Sequence, residues 1–258
     1  MKKTISVLLI ALTMFASVFA AKPKVEPYVH DYSKQFYPGF GYVLLNSSAF
    51  RGSTLVKADI LKNEYVVEKV NCLAALVPIT LTLKVTLEKD GNLTYEYSDL
   101  VYKKDGKKTQ MSNLVSTNAI TNDFNKLLPE CFNNEEKYNA AKAQFFESPA
   151  LIGVMADGLT EIRAAKFTEV VKGETVNLKL KVTQAKMNEN ADYADYSYRI
   201  ACYVSVGVLK YCRFEYYTND DDKASAAEND VISVTGKIDN FTKSKFNDTL
   251  CFVVIDEE

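Results

Sequence analysis

The sequence contains one histidine, His30, and that scarcity removes most common hydrolytic and metal-centred chemistry. A Ser-His-Asp or Cys-His nucleophile needs an imidazole as its general base, and His30 sits among prolines in what reads as a solvated arm. Zinc asks for three or four Cys or His ligands at short spacing, whereas Cys72, Cys131, Cys202, Cys212 and Cys251 are scattered and no Cys-x-x-Cys occurs. That absence also removes the main support for a thioredoxin-like redox pair. No Gly-x-Ser-x-Gly elbow is present, and Gly39-Phe40-Gly41 lacks the third glycine of a dinucleotide fingerprint. Asn219-Asp220-Asp221-Asp222 is the densest run of oxygen ligands, but without the alternation, glycine and closing glutamate of a calcium loop it reads as a solvated turn. Paired carboxylates could still act as acid and base, and nothing in the sequence selects a pair. No catalytic residue, metal ligand or cofactor is assigned.

An apolar run long enough to cross a bilayer is missing as well. The run Ile5 to Phe19 is at most about fifteen residues against the roughly twenty needed. Lys2 and Lys3 precede it and Val18-Phe19-Ala20 ends it with small residues at the cleavage positions, so residues 1–20 read as a secretory signal peptide cleaved near Ala20-Ala21. The expected location is periplasmic or secreted, in a bacterial host, with no transmembrane segment in the mature chain. Export makes disulfides plausible, and Cys72 with Cys131 and Cys202 with Cys212 are the candidate pairs, buried thiols being the alternative.

Excess positive charge is absent. Residues 21–167 are balanced, with 18 Lys and Arg against 17 Asp and Glu, and residues 168–258 are acidic, 11 against 16. A nucleic-acid surface draws its affinity from clustered Lys and Arg, so the balance argues against that partner.

What is present is an ordinary globular composition, enough for one large domain or two. Pro23, Pro27, Pro38, Gly39 and Gly41 make residues 21–40 an extended arm, followed by a first strand at Gly41 to Leu45. From Ser53 to Leu76 the apolar positions fit neither period well, and strands are favoured. Ile79 to Glu88 and Leu93 to Ser98 alternate apolar and polar around Asp90-Gly91, which is a hairpin with one buried face. A second turn falls at Asp105-Gly106. Helices follow. Asn133 with Glu136 caps one that runs to about Phe146, and Ser148-Pro149 begins another, whose stripe is Leu151, Ile152, Met155, Leu159 and Ile162. Residues 41–167 thus form an α+β domain, an antiparallel sheet with helices.

From residue 168 five alternating segments appear, Thr175 to Lys186, Tyr196 to Ser205, Tyr211 to Thr218, Val231 to Ile238 and Leu250 to Ile255, with one short helix at Asp222 to Glu228. That layout is an all-β OB-like five-stranded barrel over residues 168–258. Asp230 to Ile238 resembles the fourth-strand signature of small exported bacterial OB-fold domains of the tRNA-anti-like type, an acidic turn, alternating valines and then Gly-Lys. Thr249 to Val254 resembles their last strand. The resemblance implies the barrel fold, while exported members of the type generally have no assigned activity.

If Ile200, Cys202, Val204, Cys212, Phe214 and Tyr216 point inward, Arg199, Tyr203, Tyr211, Arg213 and Tyr217 stand together on the opposite face of the second and third barrel strands. Tyrosine planes beside guanidinium groups suit a glycan, a peptide or a base. The reading is a non-catalytic, exported ligand-binding or interaction module, with an envelope protein, a peptide or a glycan as partner. The alternatives are an assembly protein docking on an envelope partner, and a hydrolase using unrecognised carboxylates.

Overall fold

The computed structural model describes residues 34–74, 77–97, 101–104, 107–110, 115–116, 118–157, 159–207, 210–243 and 250–257. The signal segment, His30 and the Asp105-Gly106 turn lie outside the described residues. Two compact units are present, one of residues up to 134 without 57–61, the other of 57–61 with 135–258.

In the first unit the end of the expected arm and the expected first strand give way to a helix, α1 (Phe36–Asn46), while residues 21–33 of the arm lie outside the described residues. Phe36, Tyr37, Phe40 and Val43 are buried at helical spacing. Pro38 falls in the first turn, where its missing N–H is not needed. Gly39, read as a loop former, is a packing residue instead, since a Cβ on it would collide with the Phe132 ring of α2 (Asn118–Phe132). That second helix carries its own buried stripe, Ile120, Phe124, Leu127, Leu128 and Cys131.

Strands β1 (Thr54–Asp59), β2 (Glu64–Ala74), β3 (Val77–Leu87) and β4 (Leu93–Tyr97) form an antiparallel sheet in sequence order, with β7 (Val115–Ser116) on β2. β5 (Val101–Lys104) and β6 (Lys107–Gln110) make a separate hairpin. The weak periodicity of residues 53–76 has a specific cause. The register of β2 on β3 shifts between Val67 and Val70, and Lys69 takes φ 59°. The bulge resets the alternation, so that Val70 and Cys72 join Tyr65 and Val67 on the buried face. Phe40 stacks on Tyr65, centroids 4.0 Å apart. On the polar face Lys84 reaches Glu64 at 3.2 Å and Glu96 at 3.3 Å. The expected hairpin turn is made by Gly91 at φ 83°, with Asp90 accepting from the Asn92 N–H.

The second unit opens with α3 (Glu135–Glu147), α4 (Pro149–Ala156) and α5 (Glu161–Val171). Ser148 caps α4 as expected, accepting from the Leu151 N–H, and Thr160 caps α5. The predicted stripe is broken between them. Ile162 is 77% exposed, and Ala164, Phe167 and Val171 are buried in its place. The segment Lys57–Leu61 groups with this unit, where buried Asp59 pairs with Arg163.

β8 (Thr175–Met187), β9 (Tyr198–Gly207), β10 (Lys210–Thr218), β11 (Val231–Lys243) and β12 (Leu250–Asp256) close a barrel in the order β8-β9-β10-β12-β11 and back to β8. Every pairing is antiparallel except β10 with β12. The fold class is therefore the expected one, an α+β sheet with helices and a closed five-stranded OB-like barrel. A four-residue helix, α6 (Asp221–Ala224), links β10 to β11.

Val176, Leu178, Leu180, Val182, Ile200, Phe214, Val234 and Phe252 fill the barrel. Helix α5 packs Phe167 against Phe241 and Phe252, centroids 5.1 and 6.2 Å away, and Thr168 donates to the Phe241 carbonyl. Gly236, the glycine of the fourth-strand signature, sits where a Cβ would collide with the Ile255 carbonyl of β12. Among the described residues no helix is long and apolar enough to cross a membrane.

Candidate functional site

The barrel wall made by β8, β9 and β10 carries the residues singled out in the sequence. The expected parity holds for Ile200, Cys202, Cys212, Phe214 and Tyr216, all buried, while Val204 is half-buried. On the outer face registered rows cross the strands. One runs Lys181, Tyr203, Arg213, Cys251, Thr242. The next runs Gln184, Ala201, Glu215, Val253, Asn240, and a third runs Lys186, Arg199, Tyr217, Ile255, Lys237.

These rows separate the five candidate residues. Tyr203 is half-buried, with the Lys181 ammonium 5.8 Å from its ring centroid. Arg213, directly opposite Tyr203, is exposed and has no carboxylate partner among the described residues. Tyr211 lies opposite Ser205 in the strand pairing, and its side chain lies outside the described residues. Arg199 is committed to Glu215 within the wall, and this hydrogen bond holds the guanidinium pKa above its ordinary value.

Tyr217 departs from the expectation and is 1% exposed. The cause is the connection between β8 and β9, whose 3-10 turn Ala191–Tyr193 lies on the wall. The Tyr193 ring stacks on the Tyr217 ring at 4.1 Å, and Asn190 donates to the Tyr217 phenol at 3.2 Å. Tyr193 also donates to Asp239 at 2.8 Å, and Lys172 holds Asp239 at 2.9 Å. Strand parity sets only which wall residues point outward, and the burial of Tyr217 comes from a loop folded over the wall.

A second polar cluster lies between β10, α6 and β12. Lys223 donates to the Tyr216 phenol at 2.9 Å and reaches Asp220 at 3.3 Å and Asp256 at 3.6 Å. Thr218 donates to Asp256. Burial pushes the Tyr216 phenol up to about 12. Burial opposes the Lys223 charge, yet its bonds to Tyr216 and Asp220 and the nearby Asp256 outweigh that and raise its pKa. Each polar group here answers another, so the cluster anchors α6 to the barrel. The acidic run is used in the same way. Asp220 caps α6, Asp221 accepts from the Tyr198 hydroxyl and Asn219 accepts from the Ser197 N–H.

All five cysteines are thiols, so neither candidate pair is bridged. Cys202 lies opposite Phe214 and Cys212 opposite Val204, a diagonal of roughly 7–8 Å against the about 5.5–6 Å between Cα atoms that a disulfide favours. Burial pushes Cys72 to about 11 and Cys202 to about 12. Cys251 is part-exposed, yet closely enough surrounded to be pushed to about 12. Such thiols are inert as nucleophiles. Among the described residues no three His, Cys, Asp or Glu side chains converge as a metal site would require.

Compared with known proteins, the chain matches no family model, no curated protein and no solved structure.

Proposed function

We propose that this chain is an exported, non-catalytic binding module whose ligand surface is the outer wall of β8, β9 and β10, centred on Tyr203. The observation that carries the reading is the row of Lys181, Tyr203 and Arg213 on three adjacent strands. It presents an ammonium, a phenol and a guanidinium with no carboxylate partner among the described residues, while Arg199 is paired with Glu215 and Tyr217 is stacked on Tyr193. In OB-type barrels the face of the second and third strands is where ligands bind. The polar clusters elsewhere in this unit support a non-catalytic role, because Lys223, Tyr216 and Asp256 satisfy one another. The exported tRNA-anti-like type is the family reading for residues 168–258, supported by the signature strand and by the tight seat of Gly236 on Ile255.

The test uses a fixed panel of dextran, polygalacturonate, polyglutamate and a single-stranded oligonucleotide, measured by calorimetry against the wild type and a Tyr203→Ala, Arg213→Ala double variant. Any probe held by the wild type is lost by the variant. Retention of that probe by a folded variant removes the reading.

A further inference from the structure

Acidic and basic side chains are segregated over the barrel. Within β8, β9 and β10 the charged residues are Lys179, Lys181, Lys186, Arg199, Lys210, Arg213 and a single acid, Glu215. The other acids of this unit's barrel region fall in connections or at strand ends and bulges, as with Glu189, Asp192, Asp195, Asp220, Asp221 and Asp222. A domain that is acidic in sum therefore has one cationic wall. Glu215 does not neutralise the row at Tyr203, because it is held by Arg199.

The row itself, Lys181, Tyr203, Arg213, Cys251 and Thr242, contains no carboxylate. Its first three members can all donate hydrogen bonds, and the guanidinium presents a planar fork suited to a carboxylate. Nearby exposed groups are a hydroxyl and an amide, Thr242 and Gln184. Those groups suit sugar hydroxyls.

The geometry points to a glycan bearing carboxylates as the ligand of this wall. Its acid group bridges Arg213 and Lys181, with a sugar ring against Tyr203 and its hydroxyls toward the polar surround. This inference rests on the binding-module reading above and adds the class of ligand. A nucleic acid is disfavoured by the same features. Sequence-tolerant binding to single strands uses successive open aromatic platforms along a continuous basic groove. Here Tyr193 covers Tyr217, which interrupts any succession of open rings along the wall.

The experiment titrates the full chain with polygalacturonate, with dextran as the neutral glycan and polyglutamate and an oligonucleotide as acidic polymers of other classes. Polygalacturonate is expected to bind, with affinity falling as salt rises, and dextran to bind at least tenfold more weakly. Arg213→Gln is expected to weaken polygalacturonate about tenfold or more, the scale of a lost charge-assisted pair. Lys166→Gln, an exposed lysine on α5, leaves it unchanged. Circular dichroism of each variant checks that the exposed substitutions leave the fold intact.

Equal binding of dextran and polygalacturonate, lost in Tyr203→Ala, overturns the acidic class while sparing the face. Polygalacturonate binding untouched by Arg213→Gln and Tyr203→Ala overturns both. Tighter binding of polyglutamate or the oligonucleotide at equal salt, or no binding of polygalacturonate at all, overturns the inference.

Discussion

Tyr193 lies on Tyr217 with ring centroids 4.1 Å apart and planes 22° apart, which fixes the β8–β9 connection on the barrel wall. An aromatic pair of this kind contributes about 0.5–1.5 kcal/mol beyond its buried area. Tyr193→Ala also removes the hydrogen bond to Asp239. The variant is expected to lose roughly 1–2 kcal/mol in urea unfolding, and its Tyr217 becomes accessible to iodination. An unchanged midpoint would show that the stack contributes nothing to holding the loop.

Two glycines are expected to differ under the same substitution. Gly236→Ala drives a methyl group into the backbone carbonyl of Ile255, which cannot move without parting β11 from β12. Gly39→Ala meets the ring of Phe132, a side chain and not backbone. Gly236→Ala therefore lowers the melting temperature more, with a loss at or above the overpacking range of about 1–3 kcal/mol. Calorimetric scans of both variants decide the order.

Alkaline pH destabilises this protein through groups that the fold keeps neutral. Cys72, Cys202 and Tyr216 have native pKa values pushed by burial to about 11, about 12 and about 12. The unfolded chain releases those protons first, so the stabilisation is complete below the unfolded values and lost as pH rises through the native ones. Lys223, also raised in the fold, acts with the same sign. Urea midpoints are expected to decline from about pH 9 upward, and Cys202→Val to decline less. Below that pH a thiol reagent modifies the buried cysteines only on unfolding.

Acid acts through Asp239. Burial by itself would raise this carboxyl, but the Lys172 ammonium and the Tyr193 hydroxyl outweigh it and hold the group below its ordinary value. A lowered native pKa gives stabilisation that is present above the unfolded value and lost as pH falls through the native one. Asp239→Asn is expected to cost up to about 1 kcal/mol at neutral pH, given the part-exposed pair. It also flattens the decline in stability below about pH 4. Parallel curves for variant and wild type would contradict the assignment.

The number and approximate places of the barrel strands were legible because β8 to β12 alternate with few interruptions, although β11 runs on to Lys243, past the expected end at Ile238. The α1 helix was not, because Pro38, Gly39 and Gly41 signal a loop by local preference, while Gly39 is used for close packing against Phe132. The β2 bulge at Lys69 explains why residues 53–76 lacked a clean period. At the candidate face Tyr203 and Arg213 follow from strand parity alone. The burial of Tyr217 depends on where ten residues of connection come to rest, and the Arg199–Glu215 pair takes a cation out of the face. The proposed surface is therefore smaller than alternation implies.

Hydrogen–deuterium exchange of the full chain with and without a galacturonate oligomer tests the central claim most directly. The account predicts slowed exchange in peptides covering Lys179 to Gln184, Arg199 to Val204 and Cys212 to Glu215, with little change in the first unit. Slowing confined to the first unit or to α6, or none on these three strands at saturating oligomer, would contradict it.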